Sequence, residues 1–302
     1  MIDQLTIALP VYKRTDYVRS ALNSAVNQTI KCSIVLIDNN SPHRDFEAIV
    51  NEYPDADIRY VRTDETVPQD ENFNNSFRYA ETPWVTVLHD DDMLHVQYVE
   101  FCKKIIERYG ESVGGIIFGS LVGEEEWKNV NEKKVLTDQI KKLNPAFFHF
   151  RHIPFPGVLV KKDTALELGG FINDLYPIAD FDFWYRYSKR EQFYKVDQLL
   201  SYYRISPTQS TNNLVEAMVN NIYTYRIEEI RNSRHNNFLA KLGVEYSRNL
   251  NLEYFKNTYT SVEIPEEIVN KAGMERSRKL LRNRLTRKVV DKYINYLSFS
   301  SL

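Results

Sequence analysis

The first half of the chain alternates short apolar runs with amphipathic stretches of helical period. The apolar runs span residues 5–9, 33–37, 58–61, 84–88 and 115–121. The helical stretches between them span residues 16–25, 45–53, 70–80 and 96–109. Strands and helices that alternate at this spacing are typical of βαβ units. The chain is therefore predicted to form an α/β fold around a mostly parallel sheet that is flanked by helices.

The elements after residue 121 are less regular. Apolar runs at 158–160 and 199–205 predict two further strands, and the patterns at 163–168 and 182–189 predict short helices. The charged segment 124–142 contains no strong strand pattern, and we expect it to form a surface helix or a mobile loop.

The composition of the chain changes near Asn213, where glycine nearly vanishes and helical patterns take over. We therefore expect a sheet-containing domain at residues 1–212, with halves at about 1–115 and 116–212. A helical C-terminal region is expected at residues 213–302. The length of 302 residues and the 43% hydrophobic content suffice for a large core.

Charge and cysteine content exclude several classes of function. A net charge of −2 argues against a broad nucleic-acid surface. The two cysteines, Cys32 and Cys102, lie far apart without metal-type spacing, so buried free thiols in a reducing compartment are expected. The longest apolar stretch, 113–122, is far shorter than the roughly 20 residues of a membrane span. With no leader-like N-terminus, these features predict a cytoplasmic protein.

Three consecutive carboxylates, Asp90, Asp91 and Asp92, directly follow the apolar run 84–88. Like charges this close raise each other's pKa, so such a cluster at a strand end favours a bound cation. Carboxylate oxygens suit Mg²⁺ or Mn²⁺, and such an ion could neutralise a diphosphate leaving group. The alternative is a solvated acidic turn that caps the next helix.

Two other polar clusters follow predicted strands or turns. Asp38 and the residues after it end the second apolar run, and they could either bind a nucleoside base or form an ordinary turn. Asp180 and Asp182 flank a phenylalanine at the start of a predicted helix. Asp180 could cap that helix, or it could remove a proton from an acceptor hydroxyl. Trp184 could stack on a sugar ring or pack in the core.

Six segments in a fixed order resemble the motifs of the family 2 glycosyltransferases, which have the GT-A fold. They are Ile7-Ala8-Leu9-Pro10-Val11-Tyr12, Ile37-Asp38-Asn39-Asn40-Ser41, Leu88-His89-Asp90-Asp91-Asp92, Gly169-Gly170-Phe171, Ala179-Asp180 and Tyr202-Tyr203-Arg204-Ile205-Ser206. Asn72 and Asn74 lie in the segment that usually carries an Asn-Arg pair near the nucleotide. The resemblance covers about residues 3 to 212.

The resemblance implies an inverting transfer of a sugar from a nucleoside diphosphate donor, most commonly UDP-linked, to an acceptor hydroxyl. Asp180 would be the catalytic base, and Asp91 and Asp92 would hold Mn²⁺ or Mg²⁺. The acceptor would be a saccharide or a lipid-linked saccharide in polysaccharide or glycoconjugate synthesis. The donor nucleotide would be contacted by Pro10, Tyr12, Asp38, Asn72, Asp90 and Asp91.

The sequence departs from the family pattern at four positions. Asn39 replaces the usual second Asp of its motif, and His89 stands where many members have the first acid of the DxD run. Ala179 replaces the Glu before the base, which removes one acceptor-side carboxylate. Ser206 stands where a His often approaches the metal or the diphosphate.

Two other classes of function fit the sequence less well than an active transferase does. A sugar nucleotidyltransferase would need a Gly-rich basic loop after the first strand, whereas this turn, residues 10–14, contains no glycine. A non-catalytic sugar-nucleotide-binding relative would be expected to lack Asp180 or the acidic triplet, and both are present. No dinucleotide or P-loop glycine motif occurs in the chain.

The C-terminal segment 271–297 is strongly basic and has a helical period. Its cations are Lys271, Arg276, Arg278, Lys279, Arg282, Arg284, Arg287, Lys288 and Lys292. Its apolar residues Leu281, Leu285, Val289 and Tyr293 recur four apart. This pattern predicts either a helix on an anionic membrane surface, such as the inner face of the cell membrane, or a helix packed on the rest of the protein. A partner-helix role is a third alternative.

Overall fold

A computed structural model of the protein describes residues 4–137, 139–206, 214–258 and 279–300. Its strands are β1 (Leu5–Val11), β2 (Ser33–Asp38), β3 (Ile58–Arg62), β4 (Trp84–Val87), β5 (Met93–Leu94), β6 (Gly115–Gly123), β7 (Ile140–Leu143), β8 (Val158–Lys161), β9 (Phe193–Arg204) and β10 (Phe299–Ser300). Its helices are α1 (Val18–Val26), α2 (Asp45–Asn51), α3 (Gln69–Tyr79), α4 (Tyr98–Tyr109), α5 (Lys162–Glu167), α6 (Ala179–Arg190), α7 (Val215–Asn232), α8 (Phe238–Thr258) and α9 (Arg284–Ser298).

One central sheet runs through the protein in the order β10-β7-β9-β6-β8-β4-β1-β2-β3, and β5 pairs with β9 beside it. The strands β4, β1, β2 and β3 are parallel, as their βαβ spacing predicts. Beyond β4 the sheet is mixed, because β8 pairs antiparallel with both β4 and β6 while β9 runs parallel to β6. The predicted α/β fold with a central sheet is confirmed.

The two faces of β1 pack into two separate cores. Leu5, Ile7 and Leu9 pack with α1, α2 and α4 on one side of the sheet. Ala8 faces the other side, where Phe77 of α3 and residues of α5 and α6 pack. A parallel strand that is covered on both faces reads as a continuous apolar run, which is why this strand was recognisable in the sequence.

The segment 124–142 was expected to form a surface helix or a mobile loop, and that expectation was wrong for its last three residues, 140–142. Its described part contains turns and extended chain, and its last residues enter β7. The strand pairs antiparallel with β9, from Ile140 opposite Val196 to Lys142 opposite Tyr194. Two consecutive lysines, Lys141 and Lys142, concealed this strand in the sequence because charged side chains are depleted in strands.

Helices α7, α8 and α9 form a cluster with its own core, which includes Ile230 of α7, Val244 of α8 and Ile294 of α9. After α9 the chain returns to the sheet, where β10 pairs with β7. Part of this region, including the sequence-based boundary at residues 212 and 213, lies outside the described residues, as do Lys271, Arg276 and Arg278 of the basic segment.

The basic segment is amphipathic as predicted, with Leu281 and the nearby Ile294 and Leu297 buried, but two other residues of the predicted stripe are exposed. Leu285 and Val289 are 69% and 50% exposed, whereas α9 buries Val290, Ile294 and Leu297. Helix α9 therefore packs through a face next to the predicted stripe. Among the described residues, no helix is long and apolar enough to cross a membrane.

Candidate active site

A cleft of about 900 Å³ opens at the carboxyl ends of β1 and β4. Ligands bind at this edge of an open α/β sheet because the loops that follow parallel strands converge there. Helices α3 and α6 form further walls, and α7 and α8 form the far wall. The residues that line the cleft include Pro10, Tyr12, Asn39, Asn72, Asp90, Asp91, Asp180, Met218, Ser247 and Tyr254.

Six of the eight residues predicted for the site line this one cleft, although they come from four separate stretches of the sequence. They are Pro10, Tyr12, Asn72, Asp90, Asp91 and Asp180. The other two, Asp38 and Asp92, lie buried behind the lining, with 0% and 1% of their surfaces exposed. The structure therefore brings together residues that the sequence only placed in order.

The carboxylate of Asp38 organises the loop that follows β2. It accepts hydrogen bonds from the Ser41 amide and the Tyr60 hydroxyl, both at 2.9 Å, and it forms an ion pair with Arg62 at 2.5 Å. The neighbouring Asn39 lines the cleft, and its amide group bonds both the N–H and the C=O of Val67 at 2.9 and 2.8 Å. Contact between Asp38 and a base stays a prediction.

The acidic turn after β4, residues 89–92, presents its carboxylates to two arginines. Arg14 Nη2 lies 2.8 Å from Asp91 Oδ2 and also contacts Asp90. The backbone N–H of Arg204, at the end of β9, donates to Asp92 Oδ1 at 3.0 Å, and its Nε donates to the carbonyl of Asp91 at 2.9 Å. The end of β9 therefore fixes the turn through Arg204, and the residues after β1 contact it through Arg14.

Burial and mutual charge govern the protonation of the acidic turn. Burial raises the pKa of Asp92 to about 6, although the nearby His89 imidazole partly offsets that rise. Burial also raises the pKa of Asp90, against the lowering influence of Arg14. Burial alone would lower the pKa of His89, but the Asp92 carboxylate and its neighbours outweigh it and raise that pKa.

The acidic turn has the donor set that a divalent cation requires. Ligand atoms of His89, Asp91 and Asp92 all lie within 4.8 Å of one another. His89 Nε2 and Asp92 Oδ2 are buried and make no hydrogen bond within the described structure, although His89 Nδ1 lies 3.5 Å from Asp92 Oδ2. An imidazole and two carboxylates suit Mn²⁺ well and Mg²⁺ through their oxygens. These residues fit a metal ion.

Asp180 also lines the cleft, as the second residue of α6. One of its oxygens accepts a hydrogen bond from the Phe181 amide at 2.7 Å, so the helix start fixes the carboxylate. Burial raises the pKa of Asp180 to about 6. Asp182, by contrast, forms an ion pair with Arg186 at 2.6 Å and accepts a hydrogen bond from the Tyr225 hydroxyl at 2.7 Å. Both of its oxygens are therefore used in contacts within the protein.

Asp70 is a cleft residue that the sequence analysis missed. It lies in the first turn of α3 and is only 6% exposed, yet it lines the cleft. Burial and the nearby charge of Asp180 raise the pKa of Asp70 to about 6. An acidic residue at a helix start usually indicates only a favourable dipole contact, so the sequence contained no specific signal for this position.

An aromatic wall of the cleft was also missed. The His89 ring lies between Phe73 and Phe155, with centroid separations of 4.7 and 4.0 Å. Both phenylalanines line the cleft. Trp184, which could have faced a sugar, is instead 2% exposed and packs edge-on against Phe155 and Phe171 in the core.

Comparison with known proteins agrees with this architecture. The family model "Glycosyl transferase family 2" matches residues 6–163. An uncharacterized glycosyltransferase of Haemophilus influenzae is 23% identical over 244 residues, which cover 76% of this chain and 80% of the relative. Another, from Rickettsia prowazekii, is 22% identical over 217 residues, which cover 71% of this chain and 68% of that one.

Solved structures share the fold. Staphylococcus aureus TarS 1-349 in complex with UDP-GlcNAc has a TM-score of 0.60 at 13% identity, covering 97% of this chain and 83% of that TarS 1-349 chain. The mannosyltransferase PcManGT from Pyrobaculum calidifontis, in complex with GDP-Man and Mn²⁺, has a TM-score of 0.54 at 13% identity, covering 97% of this chain and 84% of that one. The predicted GT-A-type fold is confirmed.

The fold, the cleft and the relatives define the class of the protein as a glycosyltransferase. Since the family model covers more than half of the chain, the protein belongs to glycosyl transferase family 2. The resemblance that the sequence motifs indicated is therefore confirmed at the level of family and enzyme class.

The raised pKa of Asp180 predicts a pH-dependent gain in stability for Asp180→Asn. The ordinary pKa of 3.8 rises to about 6 in the folded protein, so above pH 6 the folded state carries a buried charge that destabilises it. The amide removes that charge. Urea unfolding should show a gain on the order of 1 kcal/mol at pH 8, which shrinks below pH 6 and disappears near pH 4.

The exposed Asp55→Asn variant is the matched control and should show no such gain at either pH. A stability change for Asp180→Asn that is equal at pH 8 and pH 4 would contradict the buried-charge assignment.

Proposed function

We propose that the protein is an inverting glycosyltransferase that moves a sugar from a UDP-linked donor to an acceptor hydroxyl. The observation that carries this proposal is that the acidic turn and Asp180 line one cleft. TarS has been crystallised with UDP and UDP-GlcNAc, and the structure of PcManGT is a complex with GDP-Man and Mn²⁺. A nucleoside diphosphate sugar would lie in this cleft, with its diphosphate at the acidic turn and its anomeric carbon facing Asp180.

The donor end is proposed to bind nucleotide and metal. Asp91 and Asp92, with His89 beside them, would hold Mn²⁺ or Mg²⁺, which supplies positive charge for the departing diphosphate. Asp90 and Asp91 would face the donor. The wider set of nucleotide contacts is Pro10, Tyr12, Asp38 and Asn72, of which Asp38 would act through the loop that it organises.

Asp180 is proposed as the general base. With a pKa of about 6 its carboxylate is ionised at neutral pH, yet it is more basic than an ordinary aspartate. It can therefore accept the proton of an acceptor hydroxyl that attacks the anomeric carbon from the side opposite the leaving group. Asp70, close enough for its charge to interact with Asp180, supplies a second acceptor-side carboxylate where Ala179 lacks one.

The acceptor is proposed to be a saccharide or lipid-linked saccharide in polysaccharide or glycoconjugate synthesis. Met218, Ser247, Leu250 and Tyr254 of α7 and α8 line the same cleft as Asp180. In this proposal residues 1–212 form the GT-A catalytic domain, and the helical region 213–302 completes its acceptor side.

Peripheral contact with the inner face of the cell membrane is proposed for α9. Leu285, Val289 and Tyr296 are exposed on one face of the helix, and Tyr296 is 78% exposed. Lys288 and Lys292 flank this face and are exposed as well. An apolar stripe edged with lysines suits a surface of anionic lipids, where lipid-linked acceptors would be found.

Nucleotide binding tests the donor site. Thermal unfolding with UDP, GDP or dTDP, each with and without Mn²⁺, should show the largest stabilisation for UDP with Mn²⁺. A ligand at 100-fold over its Kd stabilises the folded state by about 2.7 kcal/mol. A protein whose melting temperature responds to none of the three nucleotides would contradict the donor site.

Two substitutions separate the base from the metal site. Asp180→Asn should slow sugar transfer by about 10²- to 10⁴-fold, because it removes the base, and should leave UDP affinity nearly unchanged. Asp91→Ala should weaken Mn²⁺-dependent UDP binding by more than about tenfold. Release of UDP from UDP-sugars with water as acceptor gives the rate, and calorimetry gives the affinity.

The exposed Asp163→Asn variant should match wild type in both assays. If Asp180→Asn kept the wild-type rate, or lost UDP affinity as strongly as Asp91→Ala does, the assigned roles would be wrong.

Vesicle sedimentation tests the membrane contact. The wild-type protein should bind vesicles rich in phosphatidylglycerol and not phosphatidylcholine vesicles. Replacing Leu285, Val289 and Tyr296 with serine should lower the binding by at least about tenfold, because each removes buried apolar area. Leu166→Ser, on the exposed side of α5, is the control. Equal sedimentation of the triple variant and wild type would refute the contact.

A further inference from the structure

Arg14 projects from a turn that its neighbours hold in an unusual conformation. Lys13, just before it, has a φ of 59°, in the left-handed region that non-glycine residues seldom adopt. The Lys13 amide donates to Ser41 Oγ at 3.0 Å, and its carbonyl lies 2.7 Å from His43 Nε2. The loop after β2 therefore holds the turn after β1 in a form that directs Arg14 toward the cleft.

The Arg14 guanidinium connects three parts of the donor site. Its Nη2 contacts Asp90 and lies 2.8 Å from Asp91 Oδ2, and its Nε lies 3.3 Å from Asp90 Oδ2. Its Nη1 donates to Ser206 Oγ at 3.3 Å, beyond the end of β9. Arg14 keeps 22% of its side chain exposed and lines the cleft, so it reaches solvent on the side where a donor would enter.

The same Asp91 carboxylate belongs to the group that could hold a metal ion. Asp91 lies in the cluster with His89 and Asp92, and Arg14 already contacts it. A guanidinium and a divalent cation on one carboxylate repel each other strongly at this distance, because their charges have the same sign. The two cations therefore compete for Asp91, and the open side of the cleft is the direction in which Arg14 can move.

A diphosphate in the cleft could accept hydrogen bonds from the Arg14 guanidinium once the guanidinium has moved off Asp91. The planar fork of arginine binds phosphate oxygens through paired hydrogen bonds. The Ser206 hydroxyl, which Arg14 contacts, adds a second hydrogen-bonding group at the same point. The chain thus presents an arginine and a serine together at this point of the cleft.

On the basis of the proposed function, we propose that Arg14 is an exchangeable cation of the donor site. It pairs with Asp90 and Asp91 in the free protein, and it binds the donor diphosphate when a metal ion takes its place on Asp91. Arg14 thereby couples the two binding events: metal binding releases the guanidinium, and the diphosphate then accepts its hydrogen bonds.

Arg14→Gln tests this coupling because its two expected effects have opposite signs. Without nucleotide, Mn²⁺ should bind the variant at least about fivefold more tightly than wild type, since the competing charge is gone. At saturating Mn²⁺, UDP should bind about tenfold or more weakly, since a charge-assisted hydrogen bond is lost. The electron paramagnetic resonance signal of free Mn²⁺ gives the first affinity, and calorimetry with UDP gives the second.

Arg14→Lys separates charge competition from a structural role. Lysine keeps the positive charge, so Mn²⁺ affinity should stay within about twofold of wild type. If Arg14 only braced the turn through its fork, Lys and Gln would both impair Mn²⁺ binding. Arg19→Gln removes an exposed arginine of α1 that pairs with Glu52, and it should change neither affinity.

The outcomes also distinguish this inference from the proposed function. If wild type binds Mn²⁺ and UDP while Arg14→Gln binds Mn²⁺ no more tightly, or binds UDP equally well, Arg14 is not an exchangeable cation and the proposed function stands. If folded wild-type protein binds neither ligand, both are overturned. Circular dichroism of each variant confirms that the fold is intact.

Discussion

The crowding of negative charge after β4 is the constraint on which the rest of the donor site depends. Asp90, Asp91 and Asp92 lie in one short turn, and burial raises the pKa of Asp92 to about 6. Such a turn is stable only if cations and donors surround it. Arg14 contacts it from the cleft, and Arg204 supports it from the end of β9. The acidic turn therefore contacts both the residues after β1 and the end of β9.

This arrangement explains why the sheet must continue past its parallel half. β9 pairs with β6 along nearly its whole length, with a register irregularity near Gly119, and it also pairs with β5 directly after the acidic turn. The pairing of Met93 with Tyr202 holds the acidic turn against the end of β9. β9 therefore positions the acidic turn, even though the carboxylates of that turn follow β4, more than 100 residues earlier in the chain.

The two helix-start carboxylates of the cleft follow a different principle. Asp180 and Asp70 lie at the starts of two helices, α6 and α3, and face the cleft with raised pKa values. Burial makes them more basic than ordinary carboxylates, and their positions at helix N-termini favour the ionised forms. The cleft therefore contains two kinds of acidic group: a turn whose charges are paired with arginines, and two carboxylates whose pKa values burial raises toward neutrality.

The sequence by itself determined the α/β class, the order of β1 to β4 and the position of the acidic turn, because strand and helix periods and local charge clusters are short-range properties. The ordered motifs also indicated the family. What the tertiary structure decided was which side chains meet. Arg14 contacts Ser206 across 192 positions of the chain. Asp70 lies close enough to Asp180 for their charges to interact, although the two residues come from separate stretches of the sequence.

The structure differs from the sequence-based predictions at the buried face of α9 and at strand β7, and both differences have the same cause. A period of 3.6 residues shows that α9 has an apolar side, but only its packing against α8 determines that Val290 and Ile294 are buried while Leu285 remains exposed. Likewise β7 is a strand because β9 offers it a partner, despite its lysines. Local pattern defines which elements can form. Long-range pairing decides which face each one buries, and that information lies in the fold as a whole.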